Sequence, residues 1–214
     1  MTEPDVTLTD YGIALECAIL AGLLGRRPAV RNDLRRLFVL FFASSGAGAL
    51  AGGTVHGFFL EGGSAAGAIL WRAALLAVGV TAFAAWSIGA RLVLSPRTAG
   101  IVQALAAVEL AAYAVIVLAF DQRFLVAIAN YAPAVAFLAF SFLVAYRRHG
   151  GRPLVAGLAG LLLTGAAAVV QRRGIALHPT LFNHNALYHA IQMVAFVLIF
   201  QAGRSVVASA VAER

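Results

Sequence analysis

Lysine is absent from the 214 residues and cysteine occurs once. Without lysine there is no Schiff-base anchor, so a retinal-linked photoreceptor is excluded. The lone Cys17 supports neither an internal disulfide framework nor a cysteine metal site. Charge is scarce too, at 12% of residues, with 16 basic side chains, all arginine, against 9 acidic ones. The formal charge of +7 is not gathered into a basic domain. Its arginines stand mostly at the ends of apolar stretches, so nucleic acid is not an expected partner. Also missing are a low-complexity linker, an internal repeat and a second domain, which weakens a transporter built from inverted repeats. The first ten residues carry Glu3, Asp5 and Asp10 but no positive charge, so no cleaved signal peptide is expected.

What is present is apolar. Hydrophobic residues make up 62% of the chain and the mean hydropathy is +0.89. A soluble domain of this length cannot hide so much apolar surface, so lipid must cover it. The apolar stretches run about 18 to 27 residues between short breaks containing Arg, Gly or Pro, the length that crosses a bilayer as a helix. They are continuously apolar rather than alternating, which argues against an outer-membrane barrel. The expected fold is therefore all-α: one seven-helix transmembrane bundle, with spans at Leu8–Gly25, Leu34–Leu60, Ala66–Ala90, Thr98–Phe120, Phe124–Tyr146, Pro153–Val170 and Leu181–Ala208. The expected location is multi-pass in a membrane, the cytoplasmic one in a bacterium, with membrane lipids as neighbours.

Arginine counts in the short loops give an orientation. The first loop holds Arg26, Arg27, Arg31, Arg35 and Arg36, the third Arg91 and Arg97, and the fifth Arg147, Arg148 and Arg152. The even loops are poorer, although Arg172 and Arg173 in the sixth dissent. The balance places the N-terminus outside and the C-terminus in the cytoplasm. The abundant small residues, including 21 glycines, signal close helix packing.

Ionisable groups are costly within lipid, so each one at depth needs a partner or a job. His56 near the end of the second span, and His184 and His189 at the start of the seventh, reach the same membrane level. Glu16 in the first span and Asn130 in the fifth approach it. Asn185, His189 and Gln192 are spaced i, i+4, i+7 and share one helix face. Ser45 lies eleven residues before His56, roughly 20° out of phase, and so lines the same face, while Ser44 points elsewhere. Three imidazoles suit zinc, whose catalytic sites keep a fourth position for water. The expected metal ligands are His56, His184 and His189. Glu16 or Glu61 would move protons, and Asn185, Tyr188 and Gln192 would orient the ligands. Tyr11, Tyr113, Tyr131, Trp71 and Trp86 read as belt or packing aromatics, and Glu109 as a structural partner at mid-membrane.

These residues give the chain a resemblance to the seven-helix superfamily of alkaline ceramidases and adiponectin receptors. Ser45 and His56 stand where that family has a serine and a histidine in its second helix. Asn183-His184-Asn185-Ala186-Leu187-Tyr188-His189 stands at the start of the seventh, where the family has H-x-x-x-H, and Glu16 resembles an early acidic residue of the ceramidase branch. The resemblance implies zinc on the three histidines, a catalytic site including Ser45, and a lipid substrate. The family's third-helix aspartate has no counterpart, since Ala66–Ala90 contains no Asp or Glu; Glu61 is the nearest replacement.

Two functions follow as expectations. One is a zinc-dependent membrane hydrolase cleaving an amide or ester of a lipid. The other is a non-catalytic seven-helix protein binding a metal, lipid or signal through the same cluster, and the missing aspartate favours it. A bis-histidine haem protein is weaker, and a channel or pump is unattractive because Glu16, Glu109 and Asn130 form no relay through the cytoplasmic half.

Overall fold

In the computed structural model, residues 1–26, 33–61 and 63–212 are described; Arg27 and Arg31 of the first loop lie outside them. Seven helices follow in order: α1 (Pro4–Gly25), α2 (Asp33–Phe58), α3 (Ala65–Val93), α4 (Pro96–Ala119), α5 (Phe124–His149), α6 (Arg152–Arg173) and α7 (His184–Ala212). Each is long and apolar enough to cross a membrane. Among the described residues there is no strand, only one isolated bridge between His178 and Phe182. The all-α, seven-helix expectation therefore holds.

Local chemistry sets the helix ends. Pro4 occupies the first turn of α1 with Asp5 beside it, and Pro96 opens α4 behind Ser95, whose hydroxyl accepts from the Thr98 N–H at 3.3 Å. Ser64 caps α3 in the same way, accepting from Gly67 N–H at 3.0 Å. Gly174 ends α6 in the left-handed conformation, where an L side chain would be strained. Most helix ends shift by one to four residues from those read in the sequence, and two of the shifts bear on the site. Helix α1 begins at Pro4 rather than Leu8, and α7 begins at His184 rather than Leu181, because residues 178–182 close a tight turn first.

We call the end at which α1, α3, α5 and α7 begin the amino end. Helices α1, α2, α3, α5, α6 and α7 form a closed circuit of neighbours, and α4 packs outside it on α3. Tyr113 of α4 donates its hydroxyl to Leu75 O at 2.9 Å, which fixes that contact. The carboxyl half of the circuit is solid. Phe38, Phe41, Phe42, Phe196, Ile199 and Phe142 are all buried there, with Phe41, Phe42 and Phe196 meeting edge to face at ring separations of 5.3 to 6.0 Å. Among the described residues the amino half has no comparable plug of aromatic side chains, and a cavity remains.

The joint of α1 and α2 is unusually close. A Cβ on Gly53 would stand 2.6 Å from Asp10 Cβ, so only glycine admits α1 at this distance.

Candidate ligand cavity and its polar end

The cavity has a volume of about 500 Å³, within the range of small-molecule sites, and is walled by α1, α2, α3, α5, α6 and α7. Its wall is mainly apolar, with polar side chains concentrated toward the amino end.

The polar end is assembled by the first turns of α1. Thr2 N–H donates to Gly57 O at 3.0 Å and Glu3 N–H to His56 O at 3.3 Å, so the leading segment is laid across the end of α2. Glu3 Oε2 then meets His56 Nδ1 at 2.6 Å. On the other side, Asp5 Oδ2 accepts from Asn183 N–H at 2.9 Å. Asn183 in turn caps α7, its Oδ1 accepting from Asn185 N–H at 2.8 Å and Ala186 N–H at 3.1 Å. One helical turn of α1 thus ties α2 to α7. The next turn supplies Thr9 and Asp10. Thr9 Oγ1 lies 3.1 Å from His189 Nδ1, and Asp10 Oδ1 lies 3.3 Å from His189 Nε2. Both ionisable groups are nearly sealed, Asp10 at 5% and His189 at 8% exposure.

The stripe expected on α7 is real: Asn185, His189 and Gln192 all line the cavity, with Tyr188 beside them and Phe196 one turn deeper. Asn185 Oδ1 accepts from Gln171 Nε2 at 3.3 Å, and Gln192 Nε2 donates to Thr164 Oγ1 at 3.1 Å, so α6 and α7 are laced from within. Ser45 and His56 line the wall from α2, as the phase argument required. Ser45 Oγ donates to Phe41 O at 2.8 Å, while Ser44 turns to Thr81 Oγ1 at 2.8 Å and is off the wall.

The other expected residues stand apart. His184 opens α7 outside the cavity wall. Glu16 lies on another face of α1, half-buried, with Oε2 enclosed and without a hydrogen bond among the described residues. Glu61 follows α2 and is exposed. Asn130 is off the wall and its neighbour Tyr131 is on it; Glu109 belongs to α4, outside the circuit. Trp71 and Tyr131, read as belt or packing aromatics, line the cavity instead. Trp71 is held there by donating Nε1–H to Gln122 O at 2.8 Å, across the α4–α5 turn. In that turn, hydrogen bonds from Arg123 hold the Asp121 carboxyl below the usual carboxylate range.

Among the described residues, no group of three or more His, Cys, Asp or Glu side chains is placed to hold a metal ion. Both nitrogens of His189 already face partners, and Nδ1 of His56 faces Glu3. As arranged, the three histidines do not fit a zinc centre.

The residue missed by reading the sequence is Asp10, together with Thr9, Thr164 and Gln171. In the sequence Asp10 falls in the first turn of the Leu8–Gly25 span, beside the acidic leading residues. Pro4 followed by Asp5 is the signal that starts the helix a turn earlier and sets Asp10 deeper within it.

Ala132 and Ala136 of α5, and Leu162 and Gly165 of α6, line the cavity and are exposed, Leu162 at 65%. These four are the most exposed of the lining residues, and all stand on α5 and α6. Side chains there are small apart from Leu162, and nothing stands within 4 Å of a Cβ built on Gly165.

Residues 6–207 match a family described as a family of unknown function, DUF6962. No curated protein and no solved structure matches the chain.

Proposed function

The chain belongs to this family of unknown function, and from that premise we propose that the protein takes an amphipathic molecule from the bilayer and holds it inside the bundle. The polar head sits at the Asp10–His189 end and the apolar part fills the cavity. One observation carries this reading: a single cavity of about 500 Å³ joins a buried acid–imidazole pair to an apolar interior whose wall includes exposed residues of α5 and α6, which we read as a lateral opening. A water-soluble ligand would need neither the apolar wall nor the lateral opening, whereas a lipid-like molecule needs both.

The test is retention of lipid by purified protein. Wild type washed in mild detergent retains a lipid-like molecule detectable by native mass spectrometry. Gly165→Phe, whose ring fills the opening, loses that molecule while keeping its melting temperature. Equal retention by both proteins sinks the proposal. The hydrolytic reading implied by the ceramidase resemblance makes a different prediction: a wild-type preparation that carries zinc and releases a free acyl chain from an N-acyl or O-acyl lipid. That result would replace binding with cleavage.

A further inference from the structure

The cavity wall is one-sided in its charged residues. Among its lining residues Asp10 is the acidic one and no arginine is present, in a chain that has no lysine. The other polar groups on the wall, among them Gln192, Asn185, Ser45, Thr81 and Tyr188, are neutral amides and hydroxyls that can both donate and accept. Two of the acceptors are short of partners. Gln192 is 4% exposed, and its Oε1 has no hydrogen bond although its Nε2 is engaged by Thr164. Asp10 has only His189 at 3.3 Å on Oδ1, longer than the roughly 2.7 to 2.9 Å of a charge-assisted bond. Its Oδ2 lies on the side of Gly52 on the cavity wall and makes no hydrogen bond among the described residues. Buried acceptors without donors are costly, and a ligand that brings donors relieves that cost. An anionic head would meet the opposite situation, with no fixed cation to receive it.

The aromatic lining points the same way. Trp71, Phe124, Tyr131 and Tyr188 all face the cavity, and the faces of such rings attract cations, tryptophan most strongly.

From these observations, and resting on the cavity-binding reading above, we infer that the ligand's head is an amine: an amphipathic molecule with a protonated primary amino group, seated with its N–H donors on Asp10 and its flank on the aromatic rings. Gln192 Oε1 is the acceptor for a second donor, one helical turn deeper, such as a hydroxyl adjacent to the amine. A fatty-acid-like carboxylate is disfavoured by the same wall.

Trp71 provides a reporter at the site. Trp86 is the other tryptophan of the chain, so Trp86→Phe leaves Trp71 alone. In that background, three dodecyl probes brominated near the chain end and carrying an amine, an alcohol or a carboxylate are titrated into protein in nanodiscs. The amine quenches Trp71 saturably, with an affinity at least about tenfold above the alcohol and higher still above the carboxylate. Asp10→Asn removes most of that preference and changes alcohol affinity less than about twofold. If alcohol or carboxylate binds as tightly as the amine, the head-group inference is overturned while the cavity reading stands. If none of the three quenches saturably, the cavity reading itself fails. If Asp10→Asn folds and keeps the full amine preference, Asp10 is not the head's partner and the inference falls. Should that variant not fold, the ranking of the three heads on the Trp86→Phe protein decides alone.

Discussion

Asp10 on α1 and His189 on α7 face each other with Oδ1 and Nε2 3.3 Å apart, in a part of the bundle where both side chains are almost fully enclosed. The contact clips the first helix to the last. Removing one partner of an enclosed polar pair leaves the other desolvated and unmatched, which typically costs about 1 to 3 kcal/mol. His189→Ala is therefore expected to lose about 2 kcal/mol of stability in detergent. Loss of the Thr9 contact adds to the cost and the long 3.3 Å separation limits it. Asp10→Asn with His189→Gln, which keeps polar side chains of similar size at both positions, should cost less than the two single changes added together. Thermal melts of the four proteins give the cycle, and additive losses would mean that the two side chains do not act as a pair.

Gly53 decides whether Asp10 can be where it is. A methyl group there would stand 2.6 Å from Asp10 Cβ and 3.3 Å from the Tyr11 ring, so α1 must move away from α2. Overpacking of this sort costs about 1 to 3 kcal/mol. Because Asp10 is displaced with its helix, Gly53→Ala should weaken ligand binding beyond the loss expected from stability. Gly22→Ala, where nothing lies within 4 Å, is the control and should be neutral in both measurements. A variant at Gly53 that melts and binds like the control would show that the joint is slacker than its geometry.

Apolar length between arginine-bearing breaks was enough to give seven helices, because each span must cover its own backbone groups and its own lipid contact. The α7 stripe was legible for the same reason: Asn185, His189 and Gln192 obey a helical period that no packing partner can alter. Depth along the axis was legible too, since it brought His56 and His189 to one level. Azimuth was not. Glu16 and Asp10 are both early and acidic on α1, and hydropathy alone does not say which faces the interior; the α2 glycines, which admit α1 only on one side, make that choice. The cavity was invisible because it depends on where the phenylalanines of α2 and α7 stop filling the centre, a property of six helices together.

Asn183 joins two jobs at the start of α7. Its side chain accepts from the N–H groups of Asn185 and Ala186, and its own N–H is received by Asp5. Asn183→Ala removes the cap and keeps the backbone bond to Asp5, so the expected cost is about 1 kcal/mol. Asn183→Asp retains an acceptor at the positive end of the helix and should restore stability. Hydrogen exchange at the Asn185 and Ala186 amides reports the cap directly. Exchange there should speed up in the alanine variant and recover in the aspartate one; unchanged rates would remove the cap from the account.

Zinc is the sharpest disagreement between sequence pattern and geometry, and it is open to direct measurement. His184 stands off the cavity wall, His189 is engaged at both ring nitrogens, and His56 is engaged by Glu3. A catalytic zinc centre takes three protein ligands at about 2.0 to 2.1 Å for imidazole, and binding of that kind stabilises the folded chain strongly. On the geometry described, protein purified without chelator should contain well under one zinc per chain. A strong chelator should leave its melting temperature unchanged, and His184→Ala should behave as wild type. Stoichiometric zinc, lost together with stability in His56→Ala or His189→Ala, would mean that both imidazoles abandon their carboxylate partners to meet the metal, and would revive the hydrolase reading.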